Sequence, residues 1–239
     1  MSTRFYCPDP PSEGRQRLKA DEARHLKRVC RLGVGDFVEV FDGRGLATRS
    51  EVVAVGADWV ELTIAGPPLP ERPSPFALTL ATAVPKGDRF DWLVEKATEL
   101  GVDRLIPIVT ERSVVEPSAS KLSRLRRSII EASKQCGRNR LMVLESPVRW
   151  EPLIGSWHES LKFLADPEAS PARQGPTISR GRSAILAVGP EGGFTPLERD
   201  LAIQAGWSPI TLSVNTLRIE TAALAGCAVL FTRMQESNK

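Results

Sequence analysis

Residues 184–198, Ala-Ile-Leu-Ala-Val-Gly-Pro-Glu-Gly-Gly-Phe-Thr-Pro-Leu-Glu, prescribe a buried strand, a glycine loop and a helix start within one short stretch. The apolar run 184–188 suits a strand covered on both faces, and Gly189 and Pro190 stop it. Gly192 and Gly193 leave backbone bare where a ligand can approach closely. Thr195 then caps a helix, Pro196 takes its first position and Glu198 closes a capping box, so local chemistry fixes the loop at its far end. A loop of this kind makes either a binding site or a plain tight turn.

Phosphate is not its obvious ligand. A phosphate loop needs Lys and Ser/Thr after its glycines, and a dinucleotide fingerprint needs G-x-G-x-x-G at an early strand; the sequence has neither. Backbone amides and carbonyls at a strand end also suit an adenine or a ribose held in an apolar crevice. A second loop is placed to complete such a crevice. Residues 210–213 read as a short strand, residues 214–217 follow it, and Arg218-Ile219-Glu220-Thr221-Ala222 opens a helix. Arg218 and Glu220 would lie at that helix's N-terminus, reaching the crevice or forming a surface ion pair.

Charge is segregated along the chain. The formal net charge is +3. Residues 1–31 hold eight Lys/Arg against four Asp/Glu and residues 121–140 hold seven against one, which leaves the remainder acidic. Clustering of this kind is the footprint of a polyanion binder. In the second cluster Leu122, Leu125, Ile129, Ala132 and Cys136 follow helical spacing toward a core, while Arg124, Arg127, Lys134 and Arg138 recur on the far side as a basic stripe. A solvated charged face is the commoner explanation of a helix like this, but such faces usually mix signs, so the stripe favours RNA contact over it. No run is long enough to span a membrane and no secretory signal opens the chain, so a cytoplasmic protein is expected. Four scattered cysteines with only His25 and His158 offer neither metal-ligand spacing nor a disulfide framework, so no metal is expected.

Five prolines in residues 66–75 mark a linker, placed at 67–75, that should exclude helix and central strand. Before it, in 1–66, residues 37–41, 51–55 and 59–64 alternate as strands of a small barrel of hairpins. After it, in 76–239, the pattern is α/β with a mostly parallel sheet. Residues 77–83 form a strand, Phe90, Leu93, Val94, Ala97 and Leu100 mark a helix stopped by Gly101, and residues 105–109, 161–165, 184–188 and 210–212 form further strands. Residues 166–182, rich in Pro, Ser and Gly, read as a surface excursion.

Gly189-Pro190-Glu191-Gly192-Gly193-Phe194 together with Leu217-Arg218-Ile219-Glu220-Thr221-Ala222 resembles the signature of the bacterial 16S ribosomal RNA uridine-N3 methyltransferases of the SPOUT superfamily. Pro85-Lys86-Gly87-Asp88-Arg89, Glu95 to Val102, Glu111-Arg112-Ser113, Glu131 to Gln135 and Glu22 to Leu26 are similar to that family's other blocks in the same order, so the resemblance covers nearly the whole chain. It implies a PUA-like β-barrel, a SPOUT domain ending in a trefoil knot, and a homodimer, with which the small residues 222–228 agree. It also implies S-adenosyl-L-methionine as cofactor and 16S ribosomal RNA in the small ribosomal subunit as partner.

On that resemblance, Gly189, Pro190, Gly192, Gly193, Leu212, Ser213 and Leu217 are the cofactor-binding candidates, and Arg218, Glu220 and Glu191 the catalytic ones. Arg4, Arg24, His25, Arg28 and Arg31 in the first module join Lys86, Arg89 and Arg112 and the helical stripe as RNA-binding candidates. Two positions depart from the family pattern: Ser213 stands where a glycine is usual, and Asn215-Thr216 replaces a basic or proline residue followed by an aliphatic one. A ribosomal RNA-binding protein that kept the fold without catalysis is the alternative those departures favour.

Overall fold

The structure is a computed structural model that describes residues 3–9, 11–71, 74, 76–157, 161–169 and 183–236. It divides into two compact units, Met1–Pro73 with Ile130–Leu141, and Ser74–Ile129 with Met142–Lys239.

The first unit is a five-stranded sheet of β1 (Arg4–Tyr6), β2 (Arg15–Lys19), β3 (Phe37–Phe41), β4 (Leu46–Val55) and β5 (Trp59–Pro70), in the order β1-β3-β4-β5-β2. β1 runs parallel to β3 and the remaining pairs are antiparallel. Period-2 alternation builds the core. β2 exposes Arg15, Arg17 and Lys19 and buries Leu18, which joins Phe5, Val38, Val40, Val52, Val60 and Leu62. A short helix α1 (Ala20–Arg24) continues into a π-helical turn, His25–Val29, that adds Leu26 to this core.

The proline-rich stretch differs from expectation. β5 runs through Pro67, Pro68 and Pro70 and stays paired to β4, with Leu46 opposite Pro70 and Thr48 opposite Pro68. On its other side β5 meets β2 only from Trp59 to Thr63, so the prolines occupy an edge where a missing N–H costs no ladder bond. Residues 72, 73 and 75 of the expected linker lie outside the described residues.

Two expected RNA contacts in this unit are turned inward. Arg4 is buried: its Nε lies 2.8 Å from Glu39 Oε1, its Nη2 donates to Asn139 Oδ1 at 2.5 Å, and its guanidinium lies 4.9 Å from the centre of the Phe41 ring. Lys134 is 5% exposed and donates to both Glu22 and Glu131. Burial alone would lower the Lys134 pKa, but the hydrogen bonds to Glu131 and Glu22 outweigh it and hold the ammonium above its ordinary value. Both side chains thus spend their charge on internal carboxylates and face no external polyanion.

The second unit holds a seven-stranded sheet of β6 (Ala77–Ala83), β7 (Arg104–Val109), β8 (Val143–Leu144), β9 (Val148–Arg149), β10 (Leu161–Ala165), β11 (Ser183–Val188) and β12 (Ser208–Ile210). The order is β12-β10-β11-β6-β7-β8 with β9 also on β7, and every pair is parallel. Residues 184–188 and 78–83 are buried throughout, as expected of strands covered on both faces. Parallel pairing puts the carboxyl ends of β6, β7, β10, β11 and β12 at one edge, where their following loops gather.

Three helices matter to that edge. α2 (Arg89–Leu100) buries Phe90, Leu93, Val94 and Ala97 and stops at Gly101, whose φ of 96° is the left-handed cap; Leu100, expected on the apolar face, is 39% exposed. α3 (Ala119–Cys136) buries Leu122, Leu125, Ile129 and Ala132, but Cys136, expected in the same stripe, is exposed at its last residue. α6 (Ile219–Glu236) packs on α2, β6 and β11. A Cβ at Gly226 would lie 2.5 Å from Leu186 Cδ2, so glycine lets α6 approach the sheet closely.

β12 begins and ends two residues earlier than expected. Its pairing with β10 closes at Ala165 opposite Ile210, which releases Leu212 and Ser213 into the following loop. Residues 170–182 of the expected excursion and His158 lie outside the described residues. Among the described residues no helix is long and apolar enough to cross a membrane, and no group of His, Cys, Asp and Glu could hold a metal ion.

Candidate active site

The glycine loop owes its shape to packing as much as to its own residues. Phe194 folds back so that a Cβ at Gly189 would meet its ring at 3.0 Å, and its other side packs on Trp150 at 4.8 Å between ring centres. Trp150, buried at the start of α4 (Trp150–Ser156), rests in turn on Trp207 at 5.0 Å. Gly193 has a φ of 68° and donates to Pro190 O at 2.8 Å, a tight turn that a side chain at that position would strain.

Thr195 caps α5 (Pro196–Gln204) in the expected capping box. Glu198 Oε2 accepts from Thr195 N at 2.8 Å and Thr195 Oγ1 accepts from Glu198 N at 3.2 Å. Glu198 is 3% exposed, and its second oxygen accepts from Glu111 N at 2.8 Å, which ties the loop after β7 to the start of α5. Arg112 adds a second tie, donating from Nη1 to Gly192 O at 2.6 Å.

These loops enclose a cavity of about 390 Å³. The β11 loop supplies Gly189 to Phe194, the β12 loop supplies Leu212, Ser213 and Asn215 to Leu217, α6 supplies Ile219 and Ala222, and Arg112 joins the lining beside Gly192 of the β11 loop. All seven cofactor-binding candidates line this one space. Ser213 is held in place locally: its Oγ accepts from Asn215 N at 3.1 Å and its carbonyl accepts from Thr211 Oγ1 at 3.2 Å. The β10 end contributes residues not singled out from sequence, among them Leu164, Asp166 and Glu168. Arg199 of α5 joins them, 3.5 Å from Asp166 and 2.9 Å from Glu168. Only the break from an apolar strand to Asp166 could have signalled them.

The three catalytic candidates are dispersed. Glu191 is exposed and lines the cavity. Arg218 is exposed between the lining residues Leu217 and Ile219 without lining the cavity itself. Glu220 is 7% exposed and also outside the lining; its Oε1 lies 3.7 Å from Arg89 Nη1, and its Oε2 is buried without a hydrogen-bond partner. It faces Arg89 and forms no ion pair with Arg218.

The remaining RNA candidates divide by exposure. Lys86, Arg112, Arg124, Arg127, Arg24, Arg28 and Arg31 are exposed, while Arg89, Arg138 and His25 are half-buried, His25 packing edge-on against Phe5. Arg124 already pairs with Asp91 at 3.0 Å and Arg24 with Asp21.

Comparison with known proteins places this geometry. A family model described as an RNA methyltransferase domain matches residues 72–231, and one described as an RNA methyltransferase PUA domain matches residues 18–65. A ribosomal RNA small subunit methyltransferase E of Synechocystis is 31% identical over 229 residues, covering 93% of this chain and 74% of that protein. The crystal structure of a ribosomal RNA small subunit methyltransferase E from Neisseria gonorrhoeae, bound to S-adenosyl methionine, is similar with a TM-score of 0.87 at 29% identity, covering 97% of each chain. A putative methyltransferase from Legionella pneumophila in complex with the bound cofactor gives a TM-score of 0.87 at 31% identity, covering 97% of this chain and 98% of that one. Carrying the catalytic domain behind its PUA domain over one continuous alignment, the chain belongs to the RNA methyltransferase family.

Proposed function

We propose that this protein transfers a methyl group from S-adenosylmethionine to N3 of a uridine in 16S ribosomal RNA of the small subunit, acting in the cytoplasm as a homodimer. The cavity walled by the glycine loop and the β12 loop carries the reading. Its volume of about 390 Å³ falls in the range of small-ligand sites, and Leu164, Leu212, Leu217 and Ile219 offer apolar surface to a purine. Bare backbone at Gly189, Gly192 and Gly193 leaves amides and carbonyls to read its edges. The trefoil knot implied by the resemblance belongs to this proposal, with α6 as its closing element.

The cofactor, when bound, supplies a methyl group activated by a sulfonium leaving group. The chain's task is alignment, exclusion of water and assistance to N3 as it loses its proton. Arginine stays protonated and cannot accept that proton. Arg218, exposed beside the cavity mouth, is assigned to the uracil oxygens or the target phosphate, where it stabilises negative charge as N3 ionises. Glu220 is assigned a positioning role: from its buried place it holds Arg89 toward the same edge of the sheet. Arg127, Arg28, Arg31 and Lys86, exposed and without an ion pair among the described residues, are the cations assigned to RNA phosphates.

The test is primer extension on 16S ribosomal RNA from small subunits incubated with protein and cofactor, because an N3 methyl group blocks the pairing edge and halts the polymerase. A new stop at a uridine, lost with Arg218→Ala, is the expected result. Absence of a stop with the wild-type protein overturns the assignment.

A further inference from the structure

One side of the cavity carries two charges that nothing among the described residues neutralises. Among the described residues Arg112 bonds only to the carbonyl of Gly192, through one nitrogen, and Glu191 in the same loop has no ion-pair partner. The other cavity-lining cation, Arg199, is instead taken up by Asp166 and Glu168. Arg112 is also held still. Glu111 N is fixed by Glu198, Ser113 closes a turn onto Thr110, and the Gly192 bond holds one nitrogen of the guanidinium, leaving its other donors without a partner among the described residues.

A fixed cation and a free carboxylate on neighbouring positions of one rim match a zwitterion. The donor proposed above carries one, the α-carboxylate and α-ammonium of its amino-acid end. We propose that Arg112 binds the α-carboxylate of the donor and that Glu191 faces its α-ammonium, so that Glu191 anchors the cofactor and does not accept the substrate's proton. This rests on the methyl-donor reading of the cavity. The arrangement also makes a glycine at 192 more than a turn residue, since a Cβ there would meet Arg112 Cδ at 3.2 Å and press on the side chain that carries the guanidinium.

Isothermal titration with two ligands separates the possibilities: S-adenosylhomocysteine, which has the amino-acid end, and 5′-methylthioadenosine, which lacks it. Arg112→Gln is expected to weaken S-adenosylhomocysteine about tenfold, the worth of a charge-assisted bond at an exposed site, and to leave methylthioadenosine unchanged. Glu191→Gln is expected to show the same selectivity with a smaller, about threefold, loss. Equal weakening of both ligands by Arg112→Gln would mean that Arg112 only shapes the loop, and overturns the proposal. Unchanged affinity for both, with loss of RNA binding alone, would assign Arg112 to an RNA phosphate and overturns it as well. Failure of the wild-type protein to bind S-adenosylhomocysteine refutes the donor reading itself, a result distinct from either variant outcome.

Discussion

Glu198→Ala is the substitution from which the cavity loops have most to lose. The carboxylate is 3% exposed and accepts from two backbone N–H groups, Thr195 N and Glu111 N, each at 2.8 Å. Truncation leaves two donors without a charged acceptor in a buried place. A hydrogen bond to a charged group contributes about 1.5–3 kcal/mol, and water admitted to the gap recovers part of it, so a loss of about 3 kcal/mol is expected. For a protein of this length each kcal/mol moves the thermal midpoint by about 2–4 °C, which places the shift near 6–12 °C. Glu198→Gln, which keeps one acceptor oxygen, should fall between. Thermal denaturation by circular dichroism gives the global figure, and hydrogen exchange at Thr195 and Glu111 reads the two amides directly. A midpoint within 2 °C of wild type, with both amides still protected, would refute the claim that Glu198 ties these loops together.

Lys134→Met removes the partner of Glu22 and Glu131 at a position 5% exposed and should cost about 3 kcal/mol near neutral pH, measured by urea denaturation. Because the folded-state pKa of Lys134 is raised, its contribution is complete below the ordinary lysine value of 10.5 and is lost as pH rises through the folded value, so the gap between wild type and variant should close only in strongly alkaline solution. Gly226→Val drives a branched side chain into Leu186 and, at 3.3 Å for the Cβ alone, into the cavity-lining Leu212; a loss of about 2 kcal/mol and weaker S-adenosylhomocysteine binding should appear together in calorimetry. Arg127→Ala should reduce the slope of log affinity for ribosomal RNA against log salt by about 0.7–0.9, one phosphate's worth, whereas Lys134→Met should leave that slope alone.

Local chemistry made much of the second unit legible. Residues 161–165 and 77–83 show their strand bounds because a mostly apolar run, broken only by Lys162 in the first and by Thr79 and Thr82 in the second, is flanked by turn residues and suits a buried strand of a parallel sheet, and Thr195-Pro196-x-Glu198 writes its own helix start. What stayed hidden depends on a partner elsewhere in the chain. Nothing local distinguishes Pro67, Pro68 and Pro70 in a linker from the same prolines on a strand edge; the difference is that β2 stops pairing at Thr63. Likewise β12 ends at Ile210 because β10 ends at Ala165, and residues 211–213 look no less strand-like than 208–210. The cavity follows the same division. Its two loops are readable, but Asp166, Glu168 and Arg199 enter it through the side-by-side placement of β10 and β11.

Charge is where a sequence misleads most, and the basic stripe of α3 shows why. Arg124, Arg127, Lys134 and Arg138 share one spacing, yet they meet different surroundings. Arg127 is exposed with no ion pair among the described residues, Arg124 is exposed but shares Asp91 with Lys121, and Lys134 is enclosed by Glu22 and Glu131. A cation already compensated at short range contributes little to a field felt by an approaching polyanion, and a buried one releases no counterion from a phosphate it cannot reach. Counting Lys and Arg therefore overstates the RNA-binding surface by every residue that has a carboxylate of its own. The slope comparison between Arg127→Ala and Lys134→Met measures that difference within one helix.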